Sequence, residues 1–237
     1  DIEPMRTTQY EIGFDRQFND VASFDITGFY RDVKGQIQVA RQDIASTAVN
    51  AESFNYLQNG DFATTKGLEF VFKVRRTNRL RTELHYTLSD ARGTGSTTGS
   101  GISGVENDTD LPTIISPLDF NETHRGSMYF DYRFGKNDGG AILSQLGINT
   151  LFTFTSGHNF TFSTGSLGQG GAEDGGILNS VDARNRKPLE SINRSTTPWT
   201  FQVDLKIDKG FDLMGMDAKV YSYVENLFNR RNEANVY

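Results

Sequence analysis

Apolar and polar residues alternate along most of this chain. Residues 199–208 show it most plainly. Trp199, Phe201, Val203, Leu205 and Ile207 are apolar, and Thr200, Gln202, Asp204, Lys206 and Asp208 between them are polar. A period of two gives an extended strand two distinct faces, whereas a helix would scatter the same residues around its axis. About eight segments carry this pattern. Thr8–Phe18 has Tyr10, Ile12, Phe14 and Phe18 on one side, and Val21–Val33 has Ala22, Phe24, Ile26, Gly28 and Tyr30. Phe62–Val74 offers Phe62, Leu68, Phe70, Phe72 and Val74, and Leu80–Leu88 offers Leu80, Leu84, Tyr86 and Leu88. Gly126–Phe134 offers Met128, Phe130, Tyr132 and Phe134, and Leu146–Phe154 offers Leu146, Ile148, Phe152 and Phe154. The stretch from Trp199 is the seventh segment, and Ala218–Val224 is the eighth.

The connections between these strands alternate in length. Short or moderate ones are predicted at Asn19-Asp20, Arg76–Arg79, Gly135–Gln145 and Lys209–Gly215. Long ones are predicted at Lys34–Asp61, Asp90–Thr123 and Ser156–Pro198. In an up-and-down meander this puts every long loop at one end. Outer-membrane barrels have that layout, with short periplasmic turns and long extracellular loops. A β-sandwich mixes loop lengths at both ends. The strands also approach the ~9–11 residues a tilted spanning strand needs. The predicted fold is therefore all-β: an antiparallel, up-and-down, transmembrane β-barrel segment of about eight strands with long extracellular loops. The whole chain, 1–237, reads as part of one barrel domain.

Composition narrows the picture further. The chain has no Cys, which rules out disulfides and thiolate metal sites. Its net charge of −6 argues against a nucleic-acid partner. Mean hydropathy is −0.50 and no apolar run is long enough for a membrane helix. A barrel tolerates that average because only every second residue meets lipid. Eighteen Phe and nine Tyr against one Trp suit aromatic-rich strands. The opening DIEPMRTTQYEIGF has no basic and apolar leader pattern, so a mature form or a piece of a longer protein is expected.

Four stretches, in order, resemble the TonB-dependent outer-membrane receptors. PMRTTQYEIGF is similar to their Pro-Glu-x-Ser/Thr-x-x-Tyr-Glu-x-Gly strand, and TTKGLEFVFK to their Gly-x-Glu strand. PLDFNETHRGSMYFDYRFG resembles the segment with a His-Arg pair before an aromatic strand. VYSYVENLFNRRN resembles the Val-x-Asn-Leu-Phe-Asn element near the receptor C-terminus. The flavour is that of the SusC-like and Oar-like groups. The resemblance implies a 22-stranded barrel with an N-terminal plug, in the bacterial outer membrane, importing a scarce nutrient under TonB drive. It implies the TonB complex as a partner through the plug, outer-membrane lipid and lipopolysaccharide around the barrel, and a surface lipoprotein as a further candidate. No plug or TonB-contacting segment is visible, and one more strand is expected after the Asn-Leu-Phe-Asn element. The C-terminal half of such a barrel is the expected assignment.

No catalytic set, cofactor site or metal site is predicted. His85, His124 and His158 lie in separate segments without ligand spacing. Glu106–Asp110 lacks the Gly and bidentate Glu of a calcium loop, and Gly168–Gly171 lacks the Lys-Ser/Thr of a phosphate loop. Asn121 and Asn193 head glycosylation sequons, which mean little in a bacterial barrel. Arg184, Arg186, Lys187 and Arg194 read as a solvated loop balanced by Asp182 and Glu190, with lipopolysaccharide phosphate as the functional alternative. Glu69, Arg81, Glu83, Asp131, Arg133, Asp204 and Lys219 are expected to line the lumen. Phe29, Tyr30 and Trp199 are expected at the outer aromatic girdle, and Phe18 and Phe211 at the inner one. Two alternatives stay open: a self-contained small barrel, adhesin or porin-like, and a soluble β-sandwich that binds carbohydrate.

Overall fold

The computed structural model describes residues 1–44, 52–100, 114–164 and 187–232. In chain order its elements are β1 (Arg6–Phe18), β2 (Ala22–Ile44), β3 (Glu52–Thr77), β4 (Leu80–Gly93), β5 (Ser116–Pro117) and β6 (His124–Arg133). A one-turn helix α1 (Gly140–Leu143) follows, then β7 (Leu146–Thr155). Four two-residue strands come next: β8 (Asn159–Phe160), β9 (Ser163–Thr164), β10 (Lys187–Pro188) and β11 (Ser195–Thr196). The long strands β12 (Thr200–Leu213) and β13 (Met216–Val224) close the series. The main sheet runs β1-β2-β3-β4-β6-β7-β12-β13, each pair antiparallel, with β5 attached to β4. Among the described residues β1 and β13 do not pair, so the eight long strands form an open wall. Among the described residues no second large sheet stacks on this wall and its edges do not meet, an arrangement unlike a sandwich or a closed small barrel.

The register turns the alternation into two continuous faces. One row runs Phe14, Ile26, Phe70, Tyr86, Gly126, Phe154 and Phe201 across seven strands. A neighbouring row on the other face runs Gly13, Thr27, Glu69, Thr87, Arg125, Thr155 and Thr200. Burial is inverted relative to a water-soluble sheet. Ile12 is 81% exposed and Phe14 57%, while Asp208 is 2% exposed. The only conventional apolar cluster among the described residues is Ala63, Ala91 and Leu118, beside Val33 at the long-loop end. An apolar face of this extent needs a solvent of hydrocarbon, and a fully laddered sheet is one of the few backbones that solvent tolerates.

Aromatic rings band the apolar face at two levels. At the long-loop end His124, Phe154 and Phe201 stack around Trp199 at 5.4–6.4 Å, and Tyr86 stacks on His124. Tyr86 Oη lies 2.8 Å from His124 Nδ1. At the short-turn end Phe18 stacks on Phe24, Tyr132 meets Phe134 edge-on, and the Arg16 and Arg79 guanidinium groups lie over Phe18 and Phe134. His124 to Phe134 is about ten strand steps, or ~23 Å of height at ~45° tilt, close to the ~25 Å apolar band of a barrel. Phe18, Tyr30, Trp199 and Phe211 all fall on this face. Phe29 does not. It pairs with Glu11 and Gly67 on the polar face, because it is adjacent to Tyr30 and a strand turns neighbours to opposite sides.

Several predicted connections are corrected. Most of Lys34–Asp61 is strand, not loop, since β2 reaches Ile44 and β3 starts at Glu52. Gly35, at φ +70°, makes a bulge there and shifts the register, which interrupts the period-two signal. The Asn59 side chain holds the bulge. Its Nδ2 donates to Gly35 O at 2.6 Å and Glu3 O at 2.9 Å, and its Oδ1 accepts from Glu3 N. Likewise β12 runs through Lys209 to Leu213, leaving only Met214-Gly215 as a two-residue turn at φ 53° and 81°. Those angles suit the twist of a hairpin. Parts of the other two long segments pair as β5 and β8–β11.

Gly126 sits beneath Phe154, where an added Cβ would lie 2.5 Å from the ring. Replacing Gly126 with Val is expected to destabilise the wall by about 1–3 kcal/mol through overpacking. A lower urea midpoint in lipid vesicles would show it, and an unchanged midpoint would contradict the packing described.

Candidate functional site

The polar face has two zones. Near the short turns it is a lattice of paired charges. Arg133 donates through both terminal nitrogens to Asp208, at 2.7 and 2.8 Å. Asn149 Nδ2 donates to the same carboxylate at 3.3 Å, and Lys219 Nζ lies 3.7 Å away. Arg76 donates to Asp131 at 2.8 Å, and the Tyr129 hydroxyl lies 3.1 Å from Asp131 and 2.9 Å from Asn149 Oδ1. Arg81 donates to Glu83 at 2.5 Å. Asp204 accepts from Gln202 and from the backbone N–H of Asn226, both at 2.9 Å. Five strands, β3, β6, β7, β12 and β13, are tied across the sheet by these groups.

Toward the long loops the same face changes chemistry. Thr27, Thr65, Thr87, Ser89, Ser127, Thr153, Thr155 and Thr200 share it, with Glu69, His85, Arg31 and Arg125 among them. Hydroxyls dominate there. They donate and accept without carrying charge.

Above this zone the long loops are tied to one another. Thr94 Oγ1 donates to Asp61 at 2.8 Å and accepts from Phe62 N, joining the β4–β6 connection to the β2–β3 hairpin. Asn121 accepts from Ala91 N and donates to Asn159 Oδ1 at 2.8 Å. Asn159 in turn donates to Asn193 O, and Asn193 donates to Pro117 O at 2.8 Å and to Asp119 at 2.5 Å. Asn193 N and Oδ1 both meet the Thr161 hydroxyl. These three Asn are 3–6% exposed. At this burial an unpaired amide would carry its full desolvation penalty, so the relay fixes the relative position of two loops.

A family model, the TonB dependent receptor-like β-barrel, matches residues 1–227. The chain belongs to this family. It is a receptor and transporter family rather than an enzyme family, and its place is the bacterial outer membrane. Solved structures share the fold at low identity. The outer membrane transporter YddB from Escherichia coli matches with a TM-score of 0.62 and 10% identity, over 97% of this chain and 29% of that one. The FrpB iron transporter from Neisseria meningitidis matches at 0.55 and 14%, over 99% and 30%. FpvA of P. aeruginosa, solved bound to a heterologous pyoverdine and Fe, matches at 0.53 and 14%, over 97% and 24%. The chain thus spans less than a third of each of these structures. No curated protein sequence matches it.

In this receptor wall the seven residues expected to line a lumen all share the polar face. Arg81, Glu83, Asp131, Arg133, Asp204 and Lys219 join the contacts above. Glu69 stands between Thr27 and Thr87, and among the described residues no ion pair reaches it. The sequence reading missed two partners in this lattice, Asp208 and Arg76. Asp208 continues the Asp204, Lys206 alternation and was within reach of that pattern. Arg76 was not, because the irregularity between Val74 and Thr77 breaks the period just there. His85 lies on the polar face, His124 in the aromatic band, and His158 at the loop end. Among the described residues no group of His, Asp or Glu could hold a metal ion. The sequon residues Asn121 and Asn193 are buried in the loop relay. Glu106–Asp110, Gly168–Gly171, Asp182, Arg184, Arg186 and the Lys187 side chain lie outside the described residues.

Asp208→Asn leaves Arg133 half-buried without its counter-charge, and is expected to cost about 3 kcal/mol of stability. Denaturant unfolding in vesicles would measure it, with a loss under about 1 kcal/mol placing the pair among ordinary surface bridges.

Two carboxylates outside the spanning strands are held below their usual range. Hydrogen bonding and charge from Arg79 do this for Asp138, and the Phe162 N–H and Ser195 hydroxyl do it for Glu190. A depressed folded pKa stabilises above the unfolded value of about 4 and is lost as pH falls through the folded value. Both tethers are therefore complete at neutral pH, and their contribution is lost only below about pH 4, as pH falls through the lowered folded values. The amide protection factors of residues 135–145, taken relative to intrinsic exchange at each pH, are expected to fall there in the native chain, and to be low at all pH in Asp138→Asn.

Proposed function

We propose that this chain is part of the wall of a TonB-dependent receptor that captures a ligand at its long loops and passes it inward through the barrel, with energy delivered by TonB through a plug. The observation that carries this reading is the zoning of the polar face. Hydroxyls line it below the loops, where a ligand would be handed from site to site by neutral hydrogen bonds. Paired charges line it near the short turns, where a plug would be held by salt bridges and released on demand. Glu69, Arg81, Glu83, Asp131, Arg133, Asp204 and Lys219 are the lumen residues of this reading. The tied loops supply a pre-organised rim, so capture would lose little loop entropy. Outer-membrane lipid would cover the apolar face. Lipopolysaccharide would meet the upper aromatic band, where Arg230 lies 4.7 Å over Phe201. A surface lipoprotein would be a partner for the protruding β2–β3 hairpin, and the SusC-like or Oar-like group remains the subfamily this reading favours.

The test is charge reversal in the intact receptor, with Glu83→Lys, Asp131→Lys and Asp204→Lys combined. Plug docking is expected to fail, and outer-membrane entry of a large antibiotic to rise, while a folded barrel is still recovered from the membrane. Unchanged permeability together with a normally protease-protected plug, in a folded variant, would sink the proposal.

A further inference from the structure

The apolar face continues beyond the depth that spanning requires. From Thr200 to Leu213 β12 rises ~30 Å at ~45° tilt, against an apolar band of ~25 Å and a bilayer of ~40–45 Å with its headgroups. The tip of the β12–β13 hairpin therefore reaches the headgroup layer, not open water. It remains apolar there. Phe211, Leu213 and Met216 share the face of Ile207, and Met214 at the turn is 95% exposed. The neighbouring connection adds α1, whose Ile142 is 82% exposed.

A cation on the lipid side sits between these two elements. Lys209 falls on the lipid-facing side, level with Leu146 and Val220. Its Nζ donates to Ile142 O at 3.0 Å and Ala141 O at 3.4 Å, and also to Ser144 O. An ammonium at the acyl boundary is costly unless polar groups surround it. The C-terminal carbonyls of α1 supply that surround, and carry the matching end of the helix dipole. Lys136, on the other side, is tied to Asp212 at 2.9 Å. Asp217, 3.9 Å from Lys136, pairs with Asp212 in the ladder, and both carboxylates stay exposed on the polar face, while Ile142 and Met214 are the most exposed apolar side chains of the region.

We propose that α1 and the β12–β13 turn form an interfacial foot that lies in the periplasmic phospholipid leaflet, with Ile142, Phe211, Leu213, Met214 and Met216 inserted among the headgroups and upper acyl chains. The side is set by the short turns, which are periplasmic in such barrels. The occupant follows from continuity, since the foot extends a face already immersed in lipid. The inference goes beyond the transport reading and does not depend on it, because it needs only the membrane-spanning wall.

The test uses the intact receptor in phospholipid vesicles, labelled at one added cysteine with an environment-sensitive fluorophore. This chain has no Cys of its own to interfere. Ile142→Cys and Met214→Cys are compared with Asn78→Cys, at the polar β3–β4 turn of the same end. Folding of each variant is confirmed by heat-modifiable migration. The labels at 142 and 214 are expected to emit blue-shifted light and to be quenched several-fold more by lipids brominated near the headgroup than the label at 78. Water-like emission at 142 and 214, equal to that at 78, would overturn the foot. Blue-shifted emission that brominated lipid does not quench would also overturn it, since a protein surface would then be the cover.

Discussion

In hydrocarbon, every backbone N–H and C=O must find a partner within the protein, and the structure follows from that constraint. A sheet satisfies it through long unbroken ladders, which is why the eight main strands pair only with chain neighbours. Once the ladder is fixed, alternation leaves no freedom. One set of side chains meets lipid and the other meets water or other protein. A slip of one residue would exchange the two sets along a whole strand. The register therefore carries most of the specificity, and devices that set it, such as the Met214-Gly215 turn and the Gly35 bulge, are spent at strand ends and outside the apolar band.

Where the ladder stops, asparagine side chains take over its role. An amide side chain offers N–H donors and a carbonyl acceptor in the geometry of a peptide group. Asn59 pairs in this way with both the N–H and the carbonyl of Glu3. Asn232 does the same with Phe201, covering the edge of β12 that β13 has left. Asn226 closes the Asn-Leu-Phe-Asn element on itself, accepting from Arg230 N, while its own N–H goes to Asp204. Asn121, Asn159 and Asn193 extend the device into the loops. The same chemistry thus seals edges near the membrane and fastens the rim above it.

The charged zone obeys a related economy. Carboxylates such as Asp208 and Asp131 are nearly inaccessible, yet each meets a guanidinium and at least one neutral donor. Such groups rigidify a wall when fully satisfied and would weaken it when half satisfied. The hydroxyl zone is held by neutral bonds such as Thr155 Oγ1 to Thr200 Oγ1 at 3.0 Å, which are easier to exchange for a passing solute than buried ion pairs. The contrast between a locked half and an exchangeable half is the physical basis of the transport reading.

The sequence by itself determined the strands, their faces and their order. A period of two is a local property, and Trp199–Asp208 or Gly126–Phe134 display it without reference to anything else. The end at which the loops gather was legible for the same reason, from the spacing between patterned segments. Tertiary structure decided what local pattern cannot encode. The β2–β3 hairpin beyond Gly35 was hidden by a bulge that resets the period. The partnership of Arg76 with Asp131 spans three strands and a turn. The loop relay was invisible because Asn121, Asn159 and Asn193 are far apart in the chain, and their meaning is created by the burial that brings them together.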